Sequence, residues 1–208
     1  MNTTTLLHPS YLGPIAQYIA IVKSNTIVFE NEDNYQKQSY RNRTYIYGAN
    51  GKLLLTIPIK HSQTKEKQLY KNVRIENDFK WQLLHWKSLE SAYRTSPFFE
   101  YYEDEFAPLF EKPKEFLMDF NYECMSIVLD SLQVDAPTSK TNIYDKKPTN
   151  ILDSRHLINV KKERKYNLDP YIQVFQDKKG FISNLSILDL LFNEGPNALT
   201  YLENQSIL

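Results

Sequence analysis

The first thirty residues bracket a helix-spaced run between two short strand-like stretches, and this limits the fold more than any other feature of the chain. Thr3 to Leu7 reads as a short strand, stopped by His8-Pro9. Between Ser10 and Lys23, Leu12, Ile15, Tyr18, Ile19 and Val22 recur at helical spacing. Pro14 is tolerated only in a first turn, so the helix is expected to start near Gly13. Thr26 to Glu30 is a compact β-branched run suited to a buried strand. Strand, helix and strand at this separation make a βαβ unit, with parallel strands and a right-handed crossover.

Beyond it the pattern changes twice. Tyr40 to Tyr47 alternates and Lys52 to Ile59 is strongly apolar, with Asn50-Gly51 as the hairpin turn between them. Val73 and Ile75 suggest one more short strand. From Asp78 the period becomes helical, with Asn77 or Asp78 as N-cap and Phe79, Leu83, Trp86, Leu89 and Tyr93 on one face, Trp86 in the core and Trp81 free to meet a ligand or partner. Phe98 to Phe110 and Pro113 to Leu132 read as two more helices, and Pro113 suits a first turn. Gln133 to Asn150 reads as a long exposed loop, either a mobile lid or disordered. Tyr171 to Phe175 reads as a strand, Ser186 to Asn193 as a short helix, and Gly195-Pro196 opens a last helix. The expected class is α/β: a mixed sheet with an N-terminal parallel βαβ unit, a β-hairpin and a helical second half, with α+β as the alternative.

The 208 residues suit a single domain over residues 1–208 with one full core. Lysine plus arginine and aspartate plus glutamate balance at 25 each, so no overall field draws the chain to nucleic acid. Cys124 is the only cysteine and falls in a helical apolar pattern, which excludes an intrachain disulfide and points to a packing role. No signal-like start and no transmembrane-length apolar run occur, so a cytoplasmic protein is expected. The four histidines have no ligand spacing and the five glycines form no phosphate loop, so neither a metal nor a cofactor is expected. The pattern sets no oligomeric state.

The densest polar segment is NYQKQSYRNR, Asn34 to Arg43. Alternation places Arg41, Arg43 and Tyr45 on one face, and two adjacent guanidinium groups call for an anion between them. The competing reading is a solvated face whose arginines pair with Glu30, Glu32 or Asp33. His8 ends the first strand, where α/β sheets bind ligands, and a His beside a Glu there could act as general base. A structural hydrogen bonder is the alternative role. His61 sits in a polar loop, His85 flanks Trp86, and His156 lies in a charged stretch that carries little signal.

The run ENEDNYQKQSYRNRTYIYGANGKLLLTIPI resembles the bacterial WbqC-like family, with its Asn-Tyr, Lys and Asn-Arg positions, hairpin and apolar-Pro-apolar strand. The helix carrying Trp86 and Ala92-Tyr93, then Pro97-Phe98, is similar to the family's central helix, and FISNLSILDLLFNEGP to its C-terminal motif. The resemblance implies a role in surface-polysaccharide biosynthesis. It carries substrate binding onto Asn34, Tyr35, Lys37, Arg41, Asn42 and Arg43, and brings in Asn184, Ser186 and Asp189, which read as mostly structural. The expected activity is transferase-like, on a small anionic substrate such as a nucleotide sugar with an acyl or aminoacyl donor, with His8 as the catalytic base. The alternative is a non-catalytic binding or scaffold protein that recognises an acidic partner.

Overall fold

The structure, a computed structural model, describes residues 3–60 and 67–207. In chain order the strands are β1 (Thr4–Leu7), β2 (Thr26–Phe29), β3 (Arg43–Gly48), β4 (Gly51–Thr56), β5 (Thr138–Lys140) and β6 (Leu152–Asp153). The helices are α1 (Ile15–Val22), α2 (Trp81–Tyr93), α3 (Phe99–Phe106), α4 (Leu117–Ser131), α5 (Gln176–Lys179), α6 (Ile187–Glu194) and α7 (Ala198–Asn204). The βαβ unit is present, with Thr4 to Leu7 in parallel register with Thr26 to Phe29. β5 and β6 flank it, giving a four-stranded parallel sheet in the order β5-β2-β1-β6. β3 and β4 form a separate antiparallel ribbon. The fold is α/β.

The strand order reverses at β1: the chain passes from β1 to β2 on one side and reaches β6 on the other. Such reversals leave a crevice beyond the carboxyl ends of the strands, and ligands bind there. The turn that follows β1 is shaped to present His8 at this edge. The side-chain amide of Gln17 donates to the His8 carbonyl at 2.7 Å, and Ser10 Oγ donates to Gln17 Oε1 at 2.5 Å. A Cβ at Gly13 would lie 2.3 Å from Ser10 Oγ, so only glycine leaves room for this arrangement.

Helix α1 is buried from Ile15 to Ile21, and the far end of the chain closes around its start. Asn184 Oδ1 accepts from the Ala16 amide at 2.8 Å, a helix cap supplied from another part of the sequence. The Ile15 amide donates to the Leu185 carbonyl at 3.0 Å, and the Ile187 amide to the Gly13 carbonyl at 2.9 Å. Ser186 caps α6 by accepting from the Leu188 amide and donates to the Leu12 carbonyl at 2.8 Å. Asp189 is the hub behind them. It accepts from Tyr93 Oη at 2.8 Å, Gln173 Nε2 at 2.8 Å and Tyr171 Oη at 2.5 Å. Burial pushes its carboxyl above the ordinary value against the pull of these three donors. The C-terminal motif therefore braces α1 and ties it to α2.

Several elements differ from expectation. Residues 133–150 are not without structure: β5 pairs with β2, with Ile27 donating to the Pro137 carbonyl and Thr141 to that of Phe29. Tyr171 to Phe175 forms no strand. Instead the Gln173 side chain takes the place of a partner strand, accepting from the Ile182 amide and donating to the Ile182 carbonyl, both at 2.9 Å. Val73 and Ile75 do not make a strand, although Ile75 forms an isolated bridge to Ile59. Helix α2 starts at Trp81 without a side-chain cap from Asn77 or Asp78. Its buried stripe runs through Trp81, His85, Leu89, Ala92 and Tyr93, because the rings of Tyr11 and Phe120 receive Trp81 and His85. Phe79 is 64% exposed, while Trp81 at 3% is more deeply buried than Trp86. Helix α4 begins at Leu117, leaving Pro113 outside its first turn. In the hairpin, Ala49 and Asn50 form the tip, and of the expected turn pair only Gly51 has a positive φ, 106°.

Removing the Asp189 carboxylate strands three buried donors, so Asp189→Ala is expected to lose on the order of 3–5 kcal/mol in chemical denaturation. Asp189→Asn keeps one acceptor and loses less. Ile172→Ala, at a side chain 72% exposed in the same region, stays within about 0.5 kcal/mol of wild type.

Candidate functional site

At the carboxyl edge of the parallel sheet lies a polar cavity of about 260 Å³. Each strand delivers residues to it through the segment that follows or ends it. His8 comes after β1, Asp33 and Gln36 after β2, Tyr144 and Lys146 after β5, and Asp153, Arg155, His156 and Asn159 from β6 onward. Arg41, at the end of the loop from β2 to β3, completes one wall.

The centre of the site is a triangle of His8, Asp33 and Arg41. Asp33 Oδ2 lies 2.9 Å from His8 Nε2 and 2.7 Å from Arg41 Nη2, and Arg41 Nη2 lies 2.8 Å from His8 Nε2. Nε2 faces a carboxylate that only accepts and a guanidinium that only donates, so it pairs with Asp33 when it carries the ring proton and with Arg41 when it does not. In either tautomer Arg41 Nη2 donates to Asp33 Oδ2. The other ring nitrogen, Nδ1, is buried with no partner among the described residues, as is Nε of Arg41. Burial, and after it the Arg41 charge, lower the His8 pKa to about 4 against the opposing pull of Asp33. Burial works against the Asp33 charge, but the hydrogen bond from His8, the Arg41 charge and the Asn34 amide outweigh it and hold the carboxyl below its ordinary value. At neutral pH the triangle is a neutral imidazole beside an ion pair.

Behind it stands a second cluster. Arg155 binds Asp153 through Nη2 at 2.7 Å and Nε at 2.9 Å, and reaches Glu30 Oε2 at 3.1 Å with Nη1. The same Nη1 donates to the Asp145 carbonyl at 2.8 Å, and the guanidinium lies 5.2 Å from the Tyr144 ring centre. One side chain thereby joins β2, β6 and the segment that follows β5.

Of the residues singled out in the sequence, His8 and Arg41 meet at the cavity. The carboxylate beside His8 is Asp33 and not a glutamate. Asn34, Tyr35, Lys37, Asn42 and Arg43 do not line it. The strand that was to align Arg41 with Arg43 starts only at Arg43, so the alternation does not reach Arg41. Asn42 is buried and donates to the Ile57 carbonyl at 3.0 Å, and Tyr35 packs on Tyr70 with ring centres 6.4 Å apart. Lys37 is exposed. Asn184, Ser186 and Asp189 hold the fold together, as described above. His61 lies outside the described residues. His85 is buried, with Nδ1 2.8 Å from the Tyr11 hydroxyl. His156, set aside in the sequence as carrying little signal, also lines the cavity, and so do Lys146, Asp153 and Arg155, which the sequence did not mark; the placement of all four depends on the pairing of β5 and β6. The single available signal was the DSRH stretch just after a short apolar pair, Ile151-Leu152.

Among the described residues, no three metal-ligating side chains cluster, and no helix is long and apolar enough to cross a membrane. Fold and site together define an α/β protein with a small polar cavity at the switch point of its parallel sheet. Residues 9–168 match the WbqC-like protein family, and the chain belongs to that family. The match begins one residue after His8 and ends before the Phe181 to Pro196 segment. No curated protein and no solved structure matches the chain significantly.

His8 and His85 both have pKa values lowered to about 4 from 6.5, so between these limits the unfolded chain takes up protons that the fold refuses. Stability is therefore complete above pH 6.5 and falls as the pH drops toward 4, by on the order of 3 kcal/mol for each histidine. Urea midpoints measured across that range should show this slope, and His8→Asn should remove one of its two contributions.

Proposed function

We propose that this WbqC-like protein is a transferase-like enzyme acting on a small anionic substrate, with His8 as its general base. The observation that carries this reading is a buried imidazole, held through Nε2 against Asp33 and Arg41, that lines a polar cavity at the carboxyl edge of the sheet. A substrate hydroxyl would give its proton to the His8 imidazole while its oxygen attacks the carbonyl carbon of an acyl or aminoacyl donor. Collapse of the tetrahedral intermediate would expel the leaving group, which takes the proton back from His8. Arg41 would stabilise the negative charge that develops on the carbonyl oxygen. Its charge also weakens the base, and an anion bound nearby would offset that charge and restore proton affinity. The resemblance to proteins of surface-polysaccharide loci supports a sugar-bearing substrate and a place in that biosynthesis, in a cytoplasmic setting.

A second reading is a non-catalytic binding protein. It is favoured by the low proton affinity of His8, which makes a weak base at neutral pH. Turnover assays with acyl-coenzyme A thioesters and hydroxylated acceptors separate the two. The enzyme reading expects product from the wild type and a loss of about 100-fold or more in His8→Gln, with acceptor affinity changed only a few-fold. Acceptor binding without turnover in the wild type would establish the binding-protein reading.

A further inference from the structure

The β3–β4 ribbon has one covered edge and one open edge. On the β3 side, the Tyr45 carbonyl accepts from the Ser186 amide at 2.8 Å, and the Tyr47 amide donates to the Tyr93 hydroxyl at 3.0 Å. On the β4 side, the Ile57 amide donates back to the Asn42 carbonyl at 2.8 Å, which fixes the alternation along the strand. Leu53 and Leu55 turn their amides and carbonyls toward β3, and Lys52, Leu54 and Thr56 turn theirs outward. His85 takes the Thr56 carbonyl. The amides and carbonyls of Lys52 and Leu54 have no partner among the described residues. Such an edge is a template for another strand, and proteins guard it with an outstretched lysine, a proline or a bulge. None of these guards β4. Its register with β3 is unbroken from Gly51 to Thr56 and it contains no proline. Lys52 is drawn onto the Tyr45 ring, 4.2 Å from its centre, and toward Glu163 at 3.9 Å.

Apolar surface gathers at the same place. Leu53 and Leu54 on β4, Leu83 and Leu84 on α2, and Phe79 just before α2 are between 40% and 64% exposed. They make up half of the large hydrophobic side chains exposed among the described residues. A groove of about 270 Å³ between Leu53 and Leu84 joins the strand to the outer face of the helix. The five side chains present on the order of 450 Å² of surface, over half of the roughly 800 Å² that each partner contributes to a stable interface. The strand edge and Lys87, Ser88 and Ser91 of the groove extend this area. An added strand alone would cover the β4 leucines and leave Leu83, about 100° round the helix from Leu84, in water. A second copy covers both, because it brings its own α2.

We infer that β4 and the outer face of α2 form a two-fold interface between two copies of this chain, with β4 pairing antiparallel to itself about Leu53. In this register Lys52 of each copy faces Leu54 of the other, so every free amide and carbonyl of the edge finds a partner and no lysine faces a lysine. The two α2 helices then lie on the same side of one four-stranded antiparallel sheet, and each copy closes the groove beside the other's Leu53. Sedimentation velocity of the whole chain from about 1 to 100 µM, with amide hydrogen exchange at both ends of that range, tests this. Expected is a dimer whose formation slows exchange at Lys52 and Leu54 about tenfold or more. Leu84→Asp buries an unpaired charge in the interface, and Leu54→Pro removes only an outward amide. Each should weaken the dimer about 100-fold at unchanged far-UV circular dichroism. Ile143→Asp, at a side chain 80% exposed beyond β5, should leave the affinity within about threefold. A chain that stays monomeric up to about 100 µM overturns the inference and leaves the edge to a segment of another protein. So does a dimer that both interface variants leave intact, or one in which Lys52 and Leu54 exchange as fast as in the monomer.

Discussion

A guanidinium that is 1% exposed has to be answered, and much of the site follows from how Arg41 is answered. An isolated buried charge costs several kcal/mol, so the loop between β2 and β3 must bring Asp33 back against Arg41. The rest of the fold holds that loop in place. Asn121 of α4 donates to the Arg41 carbonyl at 2.7 Å and also reaches the Tyr70 hydroxyl. Tyr70 in turn donates to the Pro9 carbonyl at 3.0 Å, and its ring lies 5.2 Å from the Arg41 guanidinium. The residue after His8, the buried arginine and the helix packed behind them therefore form one connected unit. Moving any of them would expose or orphan a charge.

The same pairing sets the chemistry of the imidazole. A lone histidine near a carboxylate would gain proton affinity, but Arg41 shares that carboxylate and adds its own repulsion. Burial penalises the imidazolium further. The result is a ring held in one orientation by Asp33 and kept neutral by its surroundings, with its second nitrogen unused. Such a group is preorganised to accept a proton once a ligand has offset the arginine, and within the proposed chemistry binding and base strength are coupled.

The elements read correctly from the sequence are those whose signals are local. Thr26 to Phe29 is β-branched, Gly51 relieves the hairpin, and Ser186 stands just before an apolar helix that it caps. What escaped depends on distant partners. The strand Thr138–Lys140 is exposed throughout and has no apolar face to mark it, and Leu152–Asp153 is too short to show a period. Gln173 satisfies the backbone of Ile182 through its side chain, so the YIQVF stretch looks like a strand and is not one. In α2 the aromatic spacing fits two adjacent stripes, and only the rings of Tyr11 and Phe120 select Trp81 over Phe79. The site divides in the same way. His8 and the Arg41 segment stood out by residue type, whereas Arg155 and Lys146 reach the cavity only through the strands β5 and β6.

The most direct test of this account is the protonation state of the His8 ring, read by long-range proton–nitrogen correlation NMR on labelled protein, with His8→Asn used for assignment. A neutral imidazole is expected at pH 7, with the ring charging only as the pH approaches about 4. An imidazolium at pH 7 would contradict this, because a ring already charged cannot take the proton that the proposed chemistry hands to it.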